Sequence, residues 1–274
     1  MSDIQLRAGF YKELLAFSRT NRIFILTIVF IGIAAAYPLL VWGSRMVLSA
    51  AGAEVFGGMD ILADELLYNA TAGLQSGVEG LTTVGLLVFL LLINSFAGGE
   101  QKRRSIIIPR SAGLNNFNYI FPKFIVYPVT MFLLTFVSVY VASFISGMLF
   151  ENNNMHAENI FISASLAAVF NMLYVCLHLT LGTATGKAGM SSAICIVSAL
   201  LVLPVFFAAL NVLPETNPFI MNIAAMSIAS GLWVGSEVVV GVVIAFVIMI
   251  VVFFIALFVQ NAKKIDNRGN EVII

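Results

Sequence analysis

The residues able to do chemistry are few, and their spacing excludes most reactions. No Gly-x-x-x-x-Gly-Lys-[Ser/Thr] stretch occurs, so the chain carries no P-loop to cradle nucleotide phosphates. No His-Glu-x-x-His motif, Gly-x-Ser-x-Gly elbow or Ser-Lys pair is present, and no catalytic set can be assembled. The only histidines are His156, in a polar stretch without a second ligand at metal spacing, and His178, inside an apolar run. Cys176 and Cys195 also lie in apolar runs and read as small buried hydrophobes, not as a disulfide framework. The sequence therefore predicts no enzyme, no metal site and no cofactor held by this chain.

One segment stands out. Residues 98 to 123 read GGEQKRRSIIIPRSAGLNNFNYIFPK, with five bases and one acid around the apolar triplet Ile106, Ile107 and Ile108. Gly98 and Gly99 can end a preceding helix, Pro109 stops regular structure, and Glu100 can pair with Arg103 and Arg104 one turn on. A loop that only fixed orientation would need the bases but not three isoleucines. An apolar knob with a basic rim fits docking to a partner, with contact to lipid as the alternative.

The elements around that segment follow from composition. Of 274 residues, 60% are hydrophobic and 10% charged, too apolar for one water-soluble core. Net charge is zero, which gives no attraction to nucleic acid. Six runs are long and apolar enough to cross a bilayer: 23–42, 80–97, 124–148, 160–185, 190–211 and 238–260. Backbone groups in lipid must pair within their own segment, so an all-α polytopic membrane protein is expected. Thirteen of the fourteen bases, all but Arg45, fall on one side of these spans, which predicts that both termini and the 98–123 loop are cytoplasmic.

Outside the spans, Leu6, Phe10, Leu14 and Phe17 recur at helical spacing, predicting an amphipathic interfacial helix over 3–18, with Glu13 a departure from its apolar stripe. Residues 59–68 have the spacing of a short helix within an otherwise surface loop, and Asn152 to Asn154 mark a polar turn. Residues 219–234 are apolar but too short to cross untilted, and read as an external half-helix between spans five and six; the last residues, 261–274, form a tail. Within the spans, Asn94, Asn171, His178 and Thr180 can line a pathway or bond between helices.

This plan resembles the permease subunit of ABC-2 type ABC transporters, over nearly the whole chain as architecture. The features that carry the resemblance are the interfacial segment at 3–18, where the family has an elbow helix, and the loop after span two. In that loop a Glu, a short apolar stretch, a Pro beside a base and a Lys opening span three correspond to Glu100, Ser105 to Ile108, Pro109 with Arg110, and Lys123. The long third span and the half-helix before span six complete it. The resemblance implies that Glu100, Arg103, Arg104, Ser105, Ile106, Ile107, Ile108, Pro109 and Arg110 form a coupling loop docking a separate ABC ATPase, with ATP and Mg held by that partner. It also implies a second permease chain, identical or sister, in a bacterial cell membrane, exporting a peptide, drug or lipid-like substrate. A secondary carrier and a non-transporting membrane scaffold or sensor are the alternatives; the spans hold no carboxylate pair of the kind ion-coupled carriers use.

Overall fold

A computed structural model describes residues 2–55, 69–96, 100, 115–150, 155–231, 238–265 and 271–273. The chain is an all-α polytopic bundle with six helices long and apolar enough to cross a membrane. An N-terminal helix, α1 (Ser2–Arg19), leads through a tight turn into the first span, α2 (Arg22–Val55). Asn21 takes a left-handed φ of 53° in that turn, a conformation that asparagine tolerates. Span two is α3 (Ala70–Gly80), a π segment (Leu81–Gly85) and α4 (Leu86–Asn94). Span three is α5 (Asn116–Leu149), span four α6 (Ala157–Thr185) and span five α7 (Ala188–Val197), a π segment (Ser198–Val202) and α8 (Leu203–Ala209). A 3-10 turn (Pro218–Ile220) and α9 (Met221–Ala229) precede span six, α10 (Val238–Ala262). A short antiparallel pair, β1 (Lys263–Ile265) and β2 (Glu271–Ile273), follows it.

Local chemistry sets the helix ends. Asn69 caps α3 by accepting a 2.8 Å bond from the Ala72 N–H, and Asn115 caps α5 through the Phe117 N–H. Gly186 ends α6 at a left-handed φ of 64°, its N–H donating to the Gly182 carbonyl.

The expected span boundaries shift at several ends. Span two begins ten residues before the expected 80, because the Asn69 cap starts a helix that the glycines and Glu79 do not interrupt. Glu79 is an exposed residue inside this helix. Span three begins at Asn116 rather than 124, and α2 runs to Val55 rather than 42. The half-helix ends at Ala229, where Gly231 turns with a φ of 77°, and not at 234. The expected helix at 59–68, the asparagine turn at 152–154 and residues 101–114 lie outside the described residues.

Span four is the axis of the bundle. It packs against spans two, three, five and six and against α9, and its most apolar stretch is buried to 67%. A helix apolar on all faces belongs in such a position. Spans one, five and six are peripheral and turn broad apolar faces outward, among them Phe24, Ile28, Leu201, Val205, Val251 and Phe258. That pattern suits contact with hydrocarbon. Close approach elsewhere depends on glycine. A Cβ on Gly77 would stand 2.7 Å from that of Ala142, and one on Gly80 would stand 2.6 Å from the Tyr37 ring, so spans one, two and three meet almost backbone to side chain.

Candidate functional site: a buried ionic junction

Among the described residues, the buried Glu13 and Lys123 come together at one place, the end that carries α1. Lys123, about two turns into span three, is 2% exposed. Its Nζ lies 2.9 Å from Glu13 Oε1 on α1 and 3.0 Å from Glu100 Oε2, just beyond span two. Lys12 closes the ring from outside, 3.1 Å from Glu100 Oε1 and 3.5 Å from Glu13 Oε1. Two phenols finish it: the Tyr127 hydroxyl donates to Glu13 Oε2 and the Tyr119 hydroxyl to Glu100 Oε2, each at 2.6 Å. Two cations thus face two carboxylates, and three separate chain segments are held at one point.

Each member is placed by its helix. Tyr119, Lys123 and Tyr127 follow one another at intervals of four on α5 and share a face. On α1 the inward line is the half-buried Gly9 and the buried Glu13 and Phe17, again at intervals of four. Gly9 allows contact: a Cβ there would be 2.8 Å from the Asn118 carbonyl and 2.9 Å from the Pro122 ring. The expected apolar stripe of α1 is therefore turned. Leu14 is 54% exposed, while Glu13, read from the sequence as a departure from the pattern, is 2% exposed and is the residue by which α1 is anchored. An acid on the inner side of a helix is stable there because Lys123 and Tyr127 satisfy it.

Aromatic rings wall the junction. Phe96 stacks on Tyr127 at 5.1 Å, and Phe17 meets Tyr127 edge-on at 5.7 Å. Arg22 sits 4.5 Å from the Phe96 centroid and donates to the Leu92 carbonyl at 2.9 Å, so span one also ties to the end of span two. A cation near the last carbonyls of a helix is favourably placed. Farther round, Phe10, Phe117, Phe121 and Phe124 cluster with Phe253 of span six, and Asn116 donates to Asn261 at 2.7 Å.

The electrostatics agree with full ionisation of Glu100. Burial alone would raise its carboxyl; the nearby Lys123 and Lys12 charges and the Tyr119 and Lys123 hydrogen bonds outweigh that and hold it down at about 2. The junction has no nucleophile beside a base, and no group of three metal-ligating residues occurs among the described residues. It ties α1, the segment leaving span two and the start of span three to one another.

Of the residues singled out by sequence, Glu100 and Lys123 are brought together here. Arg103, Arg104, Ser105, Ile106, Ile107, Ile108, Pro109 and Arg110 lie outside the described residues. Asn94, Asn171 and Thr180 bond between helices. Asn171 donates to Thr135 Oγ1 at 2.9 Å and to the Leu81 carbonyl at 3.3 Å, joining spans four, three and two. Asn94 accepts from Ser192, joining spans two and five. Thr180 donates to its own Cys176 carbonyl at 3.0 Å and to the Val252 carbonyl of span six at 3.2 Å. His178 is fully buried, with its ring toward the Ser191 backbone of span five.

Sequence reasoning missed Glu13, Lys12, Tyr119 and Tyr127 as partners. The available signal was Glu13 itself, an acid in line with Gly9 and Phe17 on a helix adjoining a span that opens with a lysine. The fold and this junction define an all-α multi-pass membrane protein with a charged joint at one end. No family model, curated protein or solved structure matches the chain.

Proposed function

We propose that the chain is the transmembrane permease subunit of an ATP-driven ABC exporter. A separate ATPase docks on the loop that follows span two, and the ATP and Mg belong to that partner. In this reading both termini and the ionic junction face the cytoplasm, as the distribution of bases along the chain supports. The observation that carries the proposal is the anchoring of Glu100. The residue that opens the docking loop is held by Lys12, Lys123 and Tyr119, so force on the loop passes at once to α1 and span three. A loop serving only to connect two spans has no need of that joint.

The apolar triplet Ile106 to Ile108 with its basic rim, Arg103, Arg104 and Arg110, is the contact surface for the ATPase. Closure of the ATPases on ATP pushes the loop, and the joint passes the push to the bundle. Two permease chains, identical or sister, complete the transporter through their spans. A peptide, drug or lipid-like substrate moves outward between them. The chain supplies the path and the partner supplies the energy, which accords with its lack of a P-loop.

The test is purification of the tagged chain from its native membrane. An ATPase subunit is expected to accompany it, and changing Ile106, Ile107 and Ile108 together to Asp is expected to abolish both association and coupled ATP turnover. Intact association and turnover in that variant would refute the docking. Isolation of the chain without any ATPase would favour the scaffold reading.

A further inference from the structure

Spans two and five are each interrupted by a π segment, Leu81–Gly85 and Ser198–Val202. The two interruptions lie at matching depths. On the α1 side of its π segment, span two has the 9 residues of α4, and span five has the 10 residues of α7. At 1.5 Å per residue both breaks fall about 14 Å from that end. Such segments mark places where a helix bends. Local chemistry supports bending at each. Thr82 and Thr83 donate back to the Val78 and Glu79 carbonyls at 2.9 and 2.6 Å, and Ser198 donates to the Cys195 carbonyl at 2.9 Å. Pro204, just past the second segment, cannot donate to a helix carbonyl.

The halves on either side have different neighbours. α3 is locked into spans one and three, where Gly73, Gly77 and Gly80 sit against Ser146, Ala142 and Tyr37. α4 packs on α7 and on span four and is tied to span one through Arg22, and Ser192 of α7 bonds both the Leu90 carbonyl and Asn94. At the break itself, Asn171 of the axial span donates to the carbonyl of Leu81, the first residue of the wide turn.

We propose that α4 and α7 swing as one unit about the paired π segments, with the Asn171–Leu81 hydrogen bond as the catch that holds the position seen here. Glu100 follows Asn94, the last residue of α4, by six residues, and Phe96 between them stacks on Tyr127 of the ionic junction. The inference rests on the break points and their packing and not on the ATPase reading. A chain that bends here but has no ATPase partner would keep this inference and lose that one.

The test uses full-length protein in lipid nanodiscs, with Cys176 and Cys195 replaced by Ala and spin labels on outward-facing sites. The label pairs are Leu91→Cys with Phe144→Cys and Ile194→Cys with Phe144→Cys, and the reference pair is Gln75→Cys with Val239→Cys. Releasing the catch by Asn171→Leu is expected to give each moving pair a second distance population, in equal fraction in the two, while the reference pair keeps one. Adding Ser192→Ala is expected to make the two moving pairs differ. Asn171→Ala, which removes the same donor with a smaller side chain, serves if Asn171→Leu does not fold. Unchanged distances in the moving pairs, or a second population in the reference pair as well, would overturn the proposal.

Discussion

Replacing Lys123 by Met is the sharpest perturbation of the ionic junction. Met keeps the length of the apolar stem and removes the charge. In the native arrangement the ammonium stands between Glu13 and Glu100 at 2.9 and 3.0 Å, shielded from water. Without it, Glu13 keeps the Tyr127 hydroxyl and the more distant Lys12, and two carboxylates face each other. Breaking a buried ion pair by deleting one partner costs about 3–5 kcal/mol, most of it from the charge left behind. A double-mutant cycle isolates that term. Lys123→Met alone is expected to cost in that range, Glu13→Gln alone less, because Lys123 then still has Glu100. The pair together is expected to fall short of the sum by about 2 kcal/mol. The assay is equilibrium unfolding in mixed detergent micelles, with helical content as the readout. Strict additivity of the two changes would refute the claim that Glu13 and Lys123 act as one buried unit.

Three further outcomes follow from the same geometry. The depressed Glu100 carboxyl adds stability that is fully present above its ordinary value of 4.5 and is lost as pH falls toward about 2, so the gap between wild type and Glu100→Gln should hold constant from pH 8 to 5.5 and close below 4.5; a gap that changes between pH 6 and 8 would contradict it. A Cβ on Gly241 would collide with the Glu215 backbone carbonyl, so Gly241→Ala should lower the unfolding midpoint by the equivalent of about 1–3 kcal/mol, whereas Gly32→Ala, with nothing within 4 Å, should not destabilise; equal effects would contradict the close packing of span six on the connection that precedes it. Thr180→Val removes a single bond between spans four and six and should cost about 0.6 kcal/mol by the same unfolding assay, interhelical hydrogen bonds in membranes being weak on average; a loss above 3 kcal/mol would mean that Thr180 does more than tie helices.

The six spans were legible because their signal is long and uniform: hydrocarbon demands continuous apolar runs, and those runs survive any detail of packing. Their ends were less so. The start of span two depends on one capping side chain, Asn69, and the glycines that follow it read equally well as loop. Glu13 illustrates a different limit. Alone on α1 it looks misplaced, since what makes it stable in the interior is Lys123, 110 residues on, and helical periodicity holds no information about a partner on another element. The interruption of spans two and five was invisible for a related reason: threonine, serine and glycine within an apolar run do not distinguish an α turn from a wider one. Glu100 was found because its loop is unusual in composition; its ties to Lys12 and Lys123, which lie on other elements, could not be read from spacing.

Sidedness tests the account most directly. Single cysteines at Ser2, Ser105 and Ser76, in a chain whose two native cysteines are replaced by Ala, can be challenged with a membrane-impermeant maleimide in intact cells and in inverted vesicles. The account expects Ser2→Cys and Ser105→Cys to react only in inverted vesicles and Ser76→Cys never to share that pattern. Reaction of Ser105→Cys in intact cells would place the ionic junction and its loop outside the cell, away from any ATPase, and the permease reading would fail.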